Sequence, residues 1–349
     1  MENRKLGVGV AGLDNWYHAF PVSEWAKKIE STKLVAVAEP DKKKLAEYVK
    51  SYSPENHYED YKDLVRDKDV DIVVINAYSA KHREIAVAAA EAGKHVLSDK
   101  PIATTVRDAN EMASAVKKGG VKFMWLQTYR YSPSYAKAKE LIERGAIGKP
   151  RLSFSGIRAL LPQEWPSISR TGWYTDVSKS GGGALTDHGT GILDAALWLF
   201  GAKSVESVSA QIDNLIHKDI EAEDYGIMTM KLSDGARLSV EAGWTSNPTS
   251  GFSDVFMVGG TEGSLTGTEK GPTLKISGKT EPFNATLQIE VPPTHWTDAY
   301  RLLLQDFAKS ITSDEEPPVK IEEGILTLST IVAAYESAKS QKSVKPSSS

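Results

Sequence analysis

The chain of 349 residues has no cysteine. That excludes disulfides, thiolate nucleophiles and cysteine-bound metal. It has no apolar run near the roughly 18 residues of a membrane span. It has no excess of positive charge: the formal net charge is -4, which argues against a nucleic-acid partner, since that needs a basic face. No internal repeat is visible. Hydrophobic residues make up 40% and charged residues 25%, so the chain can bury real cores, and its length suits about two domains. The start, Met1 to Lys5 followed by LGVGVAG, mimics a secretory leader only superficially. The apolar part is short and no small-residue cleavage site follows, so it reads as a first strand of a soluble cytoplasmic protein. Asn284-Ala285-Thr286 is a formal glycosylation triplet that reads as loop in that setting.

Between residues 6 and 150, short apolar runs alternate with helical patterns. LGVGVAG (6–12), KLVAVAEP (33–40), DIVVINA (71–77), HVLS (95–98) and VKFMWLQ (121–127) read as strands. Their Val and Ile content without strict alternation is that of strands buried on both faces. Helical stretches fall at 21–29, 41–51, 81–92 and 105–118. This order predicts an α/β fold, an N-terminal doubly wound parallel sheet of the Rossmann type. After Pro150, alternating segments such as VESVSAQID and DYGIMTMKLSDGARLSVEAGW predict an α+β domain on an open, largely antiparallel sheet, with a hairpin at Ser233-Asp234-Gly235. The expected division is 1–125 and 126–340, closing helices lying at 298–312 and 321–339. Residues 343–349 are expected to form a flexible tail.

Chemistry-bearing residues collect at the predicted strand ends. Lys100, in HVLSDKP, follows an apolar strand and precedes a helix, which places it at the carboxyl edge where open α/β sheets bind ligands. Further on, GGGALTDHGTGILD leads from a glycine turn into a helix with Asp187 and His188. A lysine, an aspartate and a histidine near a nucleotide site suit proton-coupled hydride transfer. The dinucleotide fingerprint is incomplete. Gly12 holds its first position, but Asp14 and Tyr17 stand at the second and third, and Asp14 brings charge toward phosphate. The loop Gly12-Leu13-Asp14-Asn15 would then bind through backbone N–H groups at a helix N-terminus. Glu39, ending the second strand, would take both ribose hydroxyls and favour NAD, making NADP the less suitable cofactor; the plainer alternative is a solvated strand end. Asp187 also suits a helix cap, and His82 suits either ribose binding or a cap. Among loop aromatics, Tyr174 and His295 lead Trp165, Trp173 and Trp296 as sugar-contacting residues. No metal site is expected: His82-x-Glu84 lacks the cysteines of a zinc deaminase. Gly278-Lys279-Thr280 lacks the first glycine of a P-loop.

Taken together, VAVAEPD, DIVVINA with His82, EAGKHVLSDKP, YRYSPSYAKAKELIERGAIGKPR and the segment from the triple glycine to Asp194 resemble the Gfo/Idh/MocA oxidoreductases. The resemblance covers nearly the whole chain. It implies a Rossmann domain plus an open-faced sheet domain, a homo-oligomer (dimer or tetramer) formed through that sheet, and NAD(P)-linked chemistry on a sugar, glycoside or cyclic polyol. The family's Glu-Lys-Pro becomes Asp99-Lys100-Pro101. Lys100 would hold the reacting hydroxyl, and Ala77 and Arg130 would lie by the cofactor. Asp187 matches a substrate-binding and proton-relay position. The usual histidine four residues later is Gly191 here, and His188 lies about 60° around a regular helix from that place. Two other readings follow from these departures. One is a non-catalytic relative that binds nucleotide or sugar. The other is glycoside cleavage with transient NAD use and no net redox change.

Overall fold

The computed structural model describes residues 4–347 except 166–171, 247–250, 280–281, 283 and 293–294. The first sheet contains β1 (Leu6–Ala11), β2 (Thr32–Ala38), β3 (Asn56–Tyr58), β4 (Ile72–Ile75), β5 (His95–Ser98) and β6 (Phe123–Trp125). Its order is β3-β2-β1-β4-β5-β6 and every pair is parallel. β4 is buried throughout and β1 at every residue after Leu6, as their unbroken apolar runs require. Order reverses between β1 and β4, so the loops leaving these strands open a crevice at the carboxyl edge.

The connecting helices are α1 (Trp16–Lys28), α2 (Lys42–Tyr52), α3 (Tyr61–Arg66), α4 (His82–Glu91) and α5 (Val106–Gly119). Asp41 and Thr105 cap α2 and α5 through their side chains. Three features differ from the sequence expectation. α1 begins five residues before Pro21, which lacks the N–H that would close on the Tyr17 carbonyl. The short elements β3 and α3 went unforeseen because they are too short to show a period.

A linking helix α6 (Pro133–Glu143) leads to the second sheet. That sheet has eight strands: β7 (Pro150–Arg158), β8 (Val205–Asp213), β9 (Tyr225–Leu232), β10 (Arg237–Gly243), β11 (Ser253–Gly260), β12 (Gly263–Gly267), β13 (Thr273–Gly278) and β14 (Leu287–Glu290). Pairing is antiparallel except for β7 with β10. One face packs on α8 (Thr190–Phe200) and α10 (Ile321–Ser340), with which it shares a core. On the other face Leu152 and Met257 are exposed.

The chain then crosses back. Tyr300, Leu303, Leu304 and Phe307 of α9 (Asp298–Thr312) join the core of the first sheet, so the sequence division at 125 does not separate the packing units. Nor is the tail frayed from Ser343: Val344 makes a two-way backbone bridge to Val208 on β8. Among the described residues no helix is long and apolar enough to cross a membrane.

Candidate active site

A cavity of about 490 Å³ lies between the carboxyl edge of the first sheet and the inner face of the second, in the size range of small-molecule sites. Lys100, Asp187 and His188 line it together with Tyr174 and Gly191. Lys100 Nζ donates to the backbone O of Asp187 at 3.0 Å and makes a close ion pair with its carboxylate. Trp244 Nε1 donates to the other carboxylate oxygen at 3.2 Å. His188 Nε2 lies 3.2 Å from that oxygen too, but off hydrogen-bond alignment, and among the described residues it has no hydrogen-bond partner.

Burial would raise the Asp187 pKa, yet its surroundings hold it below the ordinary carboxylate range. His188 is pushed down to about 4 by burial, against the pull of Asp187. A ring with that pKa is neutral at neutral pH, so the charge that keeps Asp187 ionised is Lys100.

Local structure puts these groups in place. Residues Leu185–Gly189 form a π turn before α8, a distortion common at functional sites. It breaks the regular helical phase assumed from sequence, and both Asp187 and His188 face the cavity. The turn is anchored from outside: the buried Glu223 carboxylate accepts from Gly183 N (2.7 Å), Leu185 N (3.0 Å) and the Tyr335 hydroxyl (2.8 Å). Asp99 sets the Lys100 backbone by accepting from its N–H at 2.6 Å. The same carboxylate accepts from Asn15 Nδ2 at 2.5 Å and lies 2.5 Å from His18 Nδ1. The loop after β1 and the loop after β5 are thus tied at one acid.

The glycine loop is compact. Gly12 has φ +86°, and a Cβ there would come within 2.5 Å of Ala77, so only glycine fits. Glu39 does not stand free for ribose. It is 2% exposed and accepts from Leu13 N (2.7 Å) and Asp41 N (3.0 Å). A carboxylate buried at a strand end takes the nearest backbone donors, so Glu39 shapes the loop. The charge of Asp14 is met by Lys44 at 2.7 Å, which removes the expected repulsion toward phosphate. The features present fit a dinucleotide. α1 has no side-chain cap in its first turn, and Asn15 Oδ1 and Asn76 Oδ1, beside the β1–β4 crevice, are buried acceptors without partners among the described residues.

Three residues take other positions. Arg130 turns from the cavity: its guanidinium donates to both Asp194 oxygens (2.8 and 2.5 Å) and to Glu323 at 3.0 Å. It ties the linker to α8 and α10. His82 is buried with its ring nitrogens 2.9 Å from the Pro101 and Ala77 carbonyls, so it clamps two loops. His295 is exposed outside the cavity, its ring 2.8 Å from the Thr297 hydroxyl.

Residues 6–127 match a family described as "Oxidoreductase family, NAD-binding Rossmann fold", and residues 139–345 match its C-terminal alpha/beta domain. The chain belongs to the Gfo/Idh/MocA oxidoreductases. A levoglucosan dehydrogenase of Pseudarthrobacter phenanthrenivorans is 32% identical over 76% of this chain and 73% of its own. A myo-inositol 2-dehydrogenase of Thermotoga maritima is 26% identical over 97% and 98%. A solved levoglucosan dehydrogenase in complex with NADH and levoglucosan superposes with a TM-score of 0.87 at 25% identity, covering 98% of this chain and 100% of that one.

Within a Gfo/Idh/MocA frame, the departure at Gly191 has a steric cause. A Cβ there would meet the Tyr129 ring at 2.8 Å, so the aromatic ring excludes any larger side chain. Tyr17, read from sequence as a lost glycine, instead lends its ring to the cavity and stacks on Trp296 at 4.8 Å. His18, Gln127, Tyr129 and Glu269 also line the cavity and went unnoticed in the sequence. His18 carried a weak signal, one α-helical turn after the loop. Glu269 carried none, since it lies in a turn whose strands had not all been recognised.

Proposed function

We propose that the protein is an NAD-linked dehydrogenase that moves hydride between nicotinamide and a secondary hydroxyl of a sugar, glycoside or cyclic polyol. The observation that carries this reading is the Lys100–Asp187 ion pair with His188 beside it, facing a ligand-sized cavity at the edge of a nucleotide-type sheet. The relatives' named substrates, levoglucosan and myo-inositol, supply the class. The loop Gly12–Asn15, Ala77 and the Asp99–Pro101 segment would hold the nucleotide, which when bound accepts or gives the hydride.

The protein's own part is to orient the hydroxyl and handle its proton. Lys100 Nζ hydrogen-bonds the reacting oxygen: in reduction its ammonium gives a proton to the forming hydroxyl and is left a neutral amine, and in oxidation the neutral amine accepts the hydroxyl proton. Asp187 stays ionised and orients the ammonium. His188, neutral and lining the cavity beside Asp187, is placed to exchange a proton with bound substrate or solvent. Aromatic side chains Trp16, Tyr17, Trp165, Tyr174 and Phe252 wall the cavity against water and offer faces to sugar C–H groups.

NAD over NADP rests on the Glu39 charge under the loop, opposed in part by Lys44. Exposed Leu152 and Met257 support a homodimer or tetramer formed through the second sheet. The test is NADH formation from NAD with levoglucosan and with myo- and scyllo-inositol. Binding of NAD with no NADH from any of these would overturn the dehydrogenase reading.

A further inference from the structure

The cavity holds more polar chemistry than proton handling uses. Glu269 reaches it from the turn between β12 and β13, in a different domain from Lys100. Its backbone N–H is pinned to Asp254 Oδ2 at 2.6 Å, so the turn is fixed, but among the described residues its carboxylate has no hydrogen-bond or ion-pair partner. Burial raises the pKa of Glu269, and Asp254 adds to the rise against the pull of neighbouring Lys270. A carboxylate partly stripped of water and left without partners is costly, and nothing in the protein's own folding uses it.

A second observation points to the same wall. Gln127 is 1% exposed, lines the cavity, and its amide Nε2 has no partner among the described residues. Its Oε1 lies 4.0 Å from the Cβ position at Gly191, beside the Tyr129 ring. Tyr129 also lines the cavity, and the Glu269 charge helps burial raise its pKa. Among the described residues an unmet donor and an unmet acceptor therefore line the same cavity.

We propose that Glu269 and Gln127 hold hydroxyl groups of the substrate remote from the carbon oxidised, Glu269 accepting from a pair of adjacent hydroxyls and Gln127 donating to a third oxygen. This rests on the cavity being a sugar or polyol site. It makes Glu269 a specificity-determining residue. A carboxylate accepts two O–H groups at once and strongly prefers a diol over a deoxy analogue, because a missing hydroxyl leaves the buried acceptor unmet.

The test is steady-state kinetics of Glu269→Gln and Gln127→Ala with NAD and the best of levoglucosan, myo-inositol and scyllo-inositol. Glu269→Gln is expected to raise the KM for that polyol about tenfold or more, with kcat within about threefold and the KM for NAD unchanged. Gln127→Ala should act in the same sense, more weakly. A structural role would instead lower Tm and kcat together. An unchanged polyol KM in both Glu269→Gln and Glu269→Ala overturns the proposal. So does a glucosamine preference over glucose that vanishes in Glu269→Gln, since that would assign the carboxylate to a cation. If the wild type oxidises none of these polyols, the functional reading fails separately. Calorimetric titration of myo-inositol into the NAD-loaded protein then decides the subsite: binding lost in Glu269→Gln supports it, and equal or absent binding overturns it.

Discussion

Two buried ion clusters stand one helix apart, and they are opposites. Arg130, Asp194 and Glu323 form a closed set, with Arg130 donating to both Asp194 oxygens and to Glu323 and none of the three facing the cavity. Lys100, Asp187 and His188 form an open set, with His188 Nε2 unpartnered and all three on the cavity wall. Both contain a basic residue locked to a buried aspartate. The difference is in what remains unmet: a cluster that satisfies itself holds elements together, whereas one that leaves polar atoms facing a cavity is ready for a ligand.

Substitutions can break this contrast. The largest effect is expected from Lys100→Met, which should lower kcat by about 10²–10⁴-fold while NAD still raises Tm as in the wild type. A parallel loss of the NAD-dependent shift would mean that Lys100 holds the nucleotide, not the proton. Arg130→Met should do the reverse. Leaving Asp194 buried without its partner should cost on the order of 3–5 kcal/mol of stability, seen as a lower denaturant midpoint, with kcat per folded molecule kept.

A smaller effect sharpens the comparison through pH. Burial puts His188 at about 4 in the native state, against 6.5 for an ordinary histidine. Between these values the unfolded chain binds the proton and the folded one does not, so stability is lost as pH falls from about 6.5 toward 4. His188→Asn should flatten that part of the profile, read as the difference in denaturant midpoint between pH 7 and pH 5. An identical slope would mean that another group titrates there. The smallest effect is expected from Glu39→Gln, which should raise kcat/KM for NADP relative to NAD by about tenfold or less. No change would assign Glu39 wholly to the loop N–H groups it already holds.

Much of the fold was legible. Five of the first sheet's six strands announced themselves because strands buried on both faces must be apolar throughout, and the alternation in VESVSAQID marked a sheet with one wet face. Lys100 and Asp187 were legible because a strand end and a glycine turn fix where a side chain emerges. Arg130 was misread because its place before α6 is visible in sequence, but its two acid partners lie 64 and 193 residues away. The two backbone N–H groups that Glu39 holds were not legible, because a carboxylate at a strand end looks the same whether or not it also caps a loop.

By itself the sequence determined the order of the elements, the sheet edge that carries the chemistry and the lysine and aspartate that meet there, because periodicity and strand ends are local properties. Only the tertiary structure decided which charged groups close on each other and which are left open. It showed that the Tyr129 ring forbids a side chain at 191, and that a π turn brings His188 onto the cavity wall. It also showed that Glu269 arrives from the far sheet with no carboxylate partner among the described residues. Those outcomes depend on distances between segments far apart in the chain, and burial sets their energies.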